Sequence, residues 1–101
     1  MADIRVSESE NGKAIVIFIS DRFDFNALKK FRASYQGKPP VSEYVINLSD
    51  VSYMDSSALG MILLLREHAL NHNSKVSIVG CSGEIKKILT TANFHRLFDI
   101  Q

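Results

Sequence analysis

Asp55-Ser56-Ser57 stands directly before the strongly apolar run that begins at Ala58. An acid or hydroxyl in that place ordinarily accepts hydrogen bonds from the free backbone amides of a helix start. Either Asp55 or Ser56 could supply that cap. The same geometry could display a serine for modification. The first turn of a helix carries partial positive charge and free amides, so a phosphate added there can be tolerated without breaking the fold. It would bring roughly −1.5 to −2 charges to the surface. Asp55 would make the patch more negative still, and a partner docked on the helix start would be repelled.

Other residues offer weaker chemistry. His68 and His72 are four apart and could grip a metal from one helical face, but no third ligand is evident, so no metal site is expected. Gly80-Cys81-Ser82-Gly83 could hold an anion, yet it lacks the lysine and glycine spacing of a P-loop and reads as a strand-to-helix turn. Cys81 has no evident neighbour to stabilise a thiolate. His95 reads as a surface or hinge residue, and Phe94 and Phe98 as core. Ser56 lacks the Gly-x-Ser-x-Gly context of a nucleophile elbow. A phospho-aspartate receiver needs an acidic pair after its first strand and a late lysine. Asp21 and Asp24 are not adjacent, and no lysine closely follows the third core strand. The expectation is a protein that is not an enzyme, with no catalytic residue and no cofactor.

The elements that must position these residues follow from periodicity. Ile4 and Val6 alternate with polar residues as in a strand with one wet face. Asn11-Gly12 reads as a hairpin turn. Ala14–Ile19 is a continuous apolar, β-branched run, expected as a strand buried on both faces. Asp24 or Asn26 caps a helix carrying Leu28, Phe31 and Tyr35, which Gly37 and Pro39-Pro40 end. Tyr44–Leu48 is a second core strand, with a short loop to the Asp-Ser-Ser stretch. In the next helix Leu59, Ile62, Leu63 and Arg66 form one stripe, widened by Met61, Leu64 and Leu65. A helix so apolar is expected to be covered over most of its circumference. Val76–Val79 is a third core strand. Ser82 caps a last helix with Ile85, Ile88, Leu89 and Ala92 inward, closed by Asn93. Phe98 and Ile100 flank Asp99 in a short edge strand.

The order β-β-α-β-α-β-α-β implies an α/β fold: a mixed, mostly parallel sheet with an N-terminal hairpin strand and about three packed helices. A length of 101 residues fits one domain, 1–101. A net charge of +1 gives no reason to expect nucleic acid as a partner. The single cysteine excludes an internal disulfide and fits a reducing cytoplasm. The N-terminus has no signal-peptide pattern, and no apolar run approaches the ~20 residues that span a bilayer, so no membrane partner is expected.

Tyr53-Met54-Asp55-Ser56-Ser57-Ala58-Leu59-Gly60 resembles the signature of the STAS domain, the fold of bacterial anti-sigma-factor antagonists. Asn47–Val51 resembles the strand end before that signature, Asp21–Asp24 the turn before the first helix, and Ala92–Phe94 with Leu97-Phe98 the segment after the last helix. The resemblance implies that Ser56 is the phosphorylation site and that Asp24 lies near it on a docking surface with Asp55, Ser57, Ala58 and Met61. It implies a partner-switching circuit in transcription regulation. A serine kinase that is often also an anti-sigma factor modifies the serine, a metal-dependent phosphatase of the PP2C type reverses it, and only the unmodified form binds. A constitutive scaffold subunit and a small-ligand sensor using the Gly80–Gly83 turn are the other readings. Asp21 and Ala58 stand where the family often has glycine. Many members continue past the position of Gln101 into another helix, which leaves a face where a weak dimer, rather than a monomer, could form.

Overall fold

The computed structural model describes residues 3–9 and 11–101. Strands β1 (Asp3–Glu8) and β2 (Ala14–Phe23) form the expected antiparallel hairpin. Its turn is held by Gly12, which takes φ 67°, and by Asn11 Oδ1, which accepts from the Lys13 amide at 3.0 Å. A short 3-10 turn at Phe25–Ala27 leads into α1 (Leu28–Ala33). Then come β3 (Glu43–Met54), α2 (Ser56–Leu70), β4 (Lys75–Val79), α3 (Gly83–Thr91), a second 3-10 turn at Phe94–Arg96, and β5 (Asp99–Ile100). The sheet order is β1-β2-β3-β4-β5, with β2 through β5 parallel.

Each parallel crossover steps to the next strand in the same direction. Right-handed crossovers then place every helix on one face of the sheet. Burial follows: Ile15, Ile17, Ile19, Tyr44, Ile46, Leu48, Val76 and Ile78 point into the helix layer and are buried. Val16, Phe18, Val45 and Asn47 alternate with them and are only half-buried. The expectation that Ala14–Ile19 is buried on both faces is therefore corrected. The far face of β2 lies open, and Arg5 covers part of it, its Cζ 5.8 Å from the Phe18 ring centroid.

The helix layer corrects a second expectation. In α2 the inward residues are Ala58, Met61, Ile62, Leu65 and Ala69. Leu59 is half-buried and Leu63 is 41% exposed, with Leu64 and Leu70 also exposed. A helix in the outer layer of a two-layer fold has sheet beneath it and neighbours only at its flanks, so its apolar surplus faces solvent. In α3, Ile85 and Leu89 are buried and Ile88 half-buried, whereas Ala92 is exposed as the helix closes. Asn93 ends it in the left-handed conformation, φ 62°. Phe23, Phe31 and Tyr35 stack in a chain under α1, with ring centroids 5.4 and 5.9 Å apart.

No loop separates β3 from α2. The strand runs to Met54 and hands directly to Asp55, the helix cap. Its outer half still pairs with β2, through two register shifts in which β3 carries an extra residue. One lies between Phe18 and Ser20, the other between Asp21 and Arg22. Bulges of this kind re-aim side chains and tighten the local twist. Asp21 sits at the second shift with φ 68°, which aspartate tolerates better than most residues.

Candidate functional site

The β2–β3 ladder ends with Phe23 beside Met54. The next residue of each strand is an aspartate, so Asp24 and Asp55 emerge at adjacent strand ends on the same rim of the sheet. Each caps the turn that follows it. Asp24 Oδ1 accepts from the Asn26 amide at 3.0 Å. Asp55 Oδ1 accepts from the amides of Ser57 at 3.0 Å and Ala58 at 3.2 Å, and from the Ser57 hydroxyl at 2.6 Å. The choice between Asp55 and Ser56 as cap is thereby settled in favour of Asp55.

The three polar residues thus have different jobs. Asp55 holds the helix start, and Ser57 is half-buried and committed to Asp55. Ser56, the first helical residue, is exposed, and among the described residues its Oγ makes no hydrogen bond. Two expected docking residues are placed elsewhere: Ala58 is 0% exposed and Met61 3%. Both side chains belong to the core face of α2, because positions two and five residues past Ser56 turn toward the sheet at 3.6 residues per turn. They support the site from beneath and cannot present side chains to a partner. The amides expected to hold an anion are also taken, since those of Ser57 and Ala58 already bind the Asp55 carboxylate.

The Ser57 hydroxyl is the main cause that holds the Asp55 carboxyl below its ordinary 3.8. Burial opposes the shift, while the Ala58 and Ser57 amides and the Arg22 charge add to it. A depressed folded-state pKa means that the cap contributes fully above the unfolded value. The contribution is lost as pH falls through the lower folded value. Asp55→Ala is expected to cost about 1–2 kcal/mol at neutral pH, as for other strong caps. Urea melts should show that difference shrinking below about pH 4, near the ordinary carboxylate range.

Three residues at this rim are not among the site residues expected from the sequence. Phe25 is 68% exposed, and Tyr53 is 41% exposed. Arg22 lies opposite Tyr53 in the ladder, with its Cζ 4.1 Å from the Tyr53 ring centroid. Its Nε is 3.5 Å from Asp24 Oδ2. Phe25 carried no usable signal, because it stands three residues before Leu28, the same step that joins Leu28 to Phe31. Tyr53 carried none, because the bulges break the alternation that would have aimed it.

The remaining candidates are structural. Among the described residues no group of three or more metal-ligating side chains comes together. His68 and His72 have ring centroids 4.8 Å apart, and His68 is half-buried. Its ring lies 4.9 Å from Tyr35 and 5.9 Å from Tyr44, and its Nε2 is buried without a hydrogen bond, as is Tyr44 Oη. Burial first, and His72 second, push the His68 pKa below its ordinary 6.5. The folded state therefore resists the proton that the unfolded chain accepts, so stability is full above about 6.5 and falls as pH passes down through the folded value. His68→Phe should flatten the loss seen in urea melts between pH 7.5 and 5, relative to the parent chain. At Gly80, with φ 75°, an added Cβ would sit 2.9 Å from Ser49 Cβ and 3.0 Å from both Ser49 N and Asn47 Oδ1. The turn is thus closed by β3, and Ser82 Oγ accepts from the Ile85 amide at 3.3 Å. Cys81 is half-buried, and burial pushes its thiol pKa up, with Lys86 opposing.

Comparison with known proteins identifies the fold and the family. The STAS domain family model matches residues 5–101. A STAS-domain containing protein of Pseudomonas aeruginosa is 45% identical over 93 residues, covering 91% of this chain and 92% of that protein. Among solved structures, the unphosphorylated anti-sigma factor antagonist SpoIIAA matches with a TM-score of 0.74 at 18% identity, over 98% of this chain and 87% of that one. Its phosphorylated form from Bacillus gives 0.73 at 19%, over 98% and 91%. The STAS domain of a SulP transporter from Vibrio cholerae gives 0.71 at 19%, over 86% and 70%. A family model over nearly all of the sequence, and a close relative over nine-tenths of it, show that this chain belongs to the STAS domain family.

Proposed function

We propose that this STAS domain is a phosphorylation-controlled partner switch of the anti-sigma-factor-antagonist type, with Ser56 as the modified residue. The observation that carries the reading is the contrast within Asp55-Ser56-Ser57. Asp55 and Ser57 are tied to each other, while Ser56 offers an exposed, unengaged hydroxyl at the rim where β2 and β3 end. In the unmodified state that hydroxyl can donate a hydrogen bond to an acceptor on a regulator. The phosphorylated serine has no such donor and carries up to two negative charges. An acceptor that faced a donor then faces an anion, and the contact becomes repulsive. The capped helix and the ladder beneath it keep the backbone in place, so the change is one of surface chemistry.

The regulator in this reading is an ATP-dependent serine kinase of the anti-sigma type, and a PP2C-type phosphatase restores the hydroxyl. Both would act in the cytoplasm, where ATP is at hand. The domain itself performs no chemistry. The likeness to SpoIIAA, which is described in phosphorylated and unphosphorylated forms, supports the reading at the level of the fold. The test is to incubate the chain with its cognate kinase and map the phosphate by tandem mass spectrometry. Modification at Ser56 is the expected result, and modification confined to another residue would contradict it.

One observation favours a second reading. Leu63, Leu64 and Leu70 give α2 exposed apolar residues that begin two turns beyond Ser56. Such a surface suits a constitutive interaction subunit, the role that the likeness to a transporter's STAS domain also allows. A constitutive partner on those leucines would bind the Ser56→Ala and Ser56→Asp variants alike.

A further inference from the structure

We propose that Arg22 is the in-chain ligand of the phosphate on Ser56, and that taking up this role releases Asp24. The inference rests on the switch reading above and specifies how the modified site is held. A phosphate at the helix start needs a counter-charge or donors. The amides of Ser57 and Ala58 already bind Asp55. Arg22 is the cation that the ladder brings to this rim. It pairs with Tyr53, and Ser56 lies three residues further along the same chain, within about 10 Å at full extension. The Tyr53 ring lies 4.1 Å from the guanidinium and fixes one of its faces, leaving its edge of N–H donors to turn toward a new acceptor.

The existing partner is easily given up. The Arg22–Asp24 contact is 3.5 Å long and the Arg22 side chain is 53% exposed. An ion pair this long whose cation faces water is weak, although the Asp24 side chain is only 15% exposed. A phosphate dianion accepts two parallel N–H bonds from a guanidinium and forms the stronger, shorter pair. Phosphorylation then alters the rim twice: Ser56 gains an anion, and the Asp24 carboxylate loses its cation. Asp24 keeps its bond to the Asn26 amide through Oδ1, so its turn stays folded while Oδ2 loses the Arg22 contact.

The experiment uses the full chain with phosphoserine installed at position 56 during synthesis. Phosphorus NMR follows the second ionisation of the phosphate in this chain, in its Arg22→Gln variant and in an Arg32→Gln control. An ion pair favours the dianion, so the parent chain should titrate several tenths of a pH unit below Arg22→Gln, with Arg32→Gln matching the parent. Equal titration of parent and Arg22→Gln, or an equal rise in Arg32→Gln, would overturn the inference. Proton–nitrogen spectra of each variant establish that the fold is kept. Because no kinase is used, the outcome is separable from the switch reading. A kinase that ignores Ser56 would sink that reading, whereas a phosphate that ignores Arg22 would sink only this one.

Discussion

Ser56→Asp is expected to weaken binding of the cognate regulator by about 30-fold or more, while Ser56→Ala stays within a few-fold of the parent. A charge without a partner in a desolvated interface costs roughly 2–5 kcal/mol, and 2 kcal/mol corresponds to about 30-fold in affinity. The alanine variant loses one hydrogen bond at an exposed residue, for which about 0.5–1.5 kcal/mol is typical. Aspartate carries less charge than phosphate, so 30-fold is the low end of the effect of modification itself. Isothermal titration of the three proteins against one regulator reads this directly. Ser57→Ala is a sharp control: it removes the hydroxyl that stabilises the Asp55 carboxylate and should lower stability, but it places no charge at the rim. Equal affinities for Ser56→Asp and Ser56→Ala would show that charge at position 56 does not govern binding.

Gly80→Ala carries the largest expected cost to stability, about 2–4 kcal/mol from left-handed strain and overpacking together. The residue takes φ 75°, and its missing side chain is the space into which Ser49 and Asn47 pack. The Ser49 amide is backbone and cannot swing aside. Asn47 Oδ1 is itself held by the Ser49 amide and hydroxyl, at 3.0 and 2.6 Å. Gly60→Ala supplies the opposite case. An added Cβ there meets nothing within 4 Å, and the backbone is helical. It should stabilise α2 by about 0.5–1 kcal/mol. Thermal melts of the pair should therefore move in opposite directions. A harmless Gly80→Ala would mean that the β3–β4 approach is looser than the packing around Ser49.

The order of elements was legible because this chain punctuates itself plainly. Asn11-Gly12, Gly37 with Pro39-Pro40, Ser82 and Asn93 all mark turns or caps that the structure uses. Asp21 was legible as a residue able to replace glycine, and its positive φ agrees. Burial was less legible, because it depends on how many layers a fold has. The Ala14–Ile19 run and the leucines of α2 look alike whether one side or both are covered. Here one face of the sheet is open, so Val16 and Phe18 are half-buried and Leu63 faces water. The rim suffered from a different ignorance. The two bulges in β3 are set by pairing with β2, and neither strand announces them. They carry the strand right to Asp55 and bring Arg22 against Tyr53. The surroundings of His68 were not legible, because Tyr35 and Tyr44 come from α1's exit and from β3, far off in sequence. The polar stretch at the helix start was readable as a cap. Which of its three residues caps, which braces and which stays free required the hydrogen-bond geometry.

In the proposed switch, that division of labour would give phosphorylation a rigid platform. Asp55 and Ser57 hold the helix start, Ala58 and Met61 anchor it to the sheet, and Ser56 can change its chemistry without disturbing either. The most direct measurement is the affinity of the regulator captured by a Ser56→Ala bait for two forms of the parent chain, one unmodified and one with phosphoserine at position 56. Tight binding by the first and loss of binding by the second is the predicted result. Equal binding by both would contradict the switch and leave a constitutive interaction domain in its place.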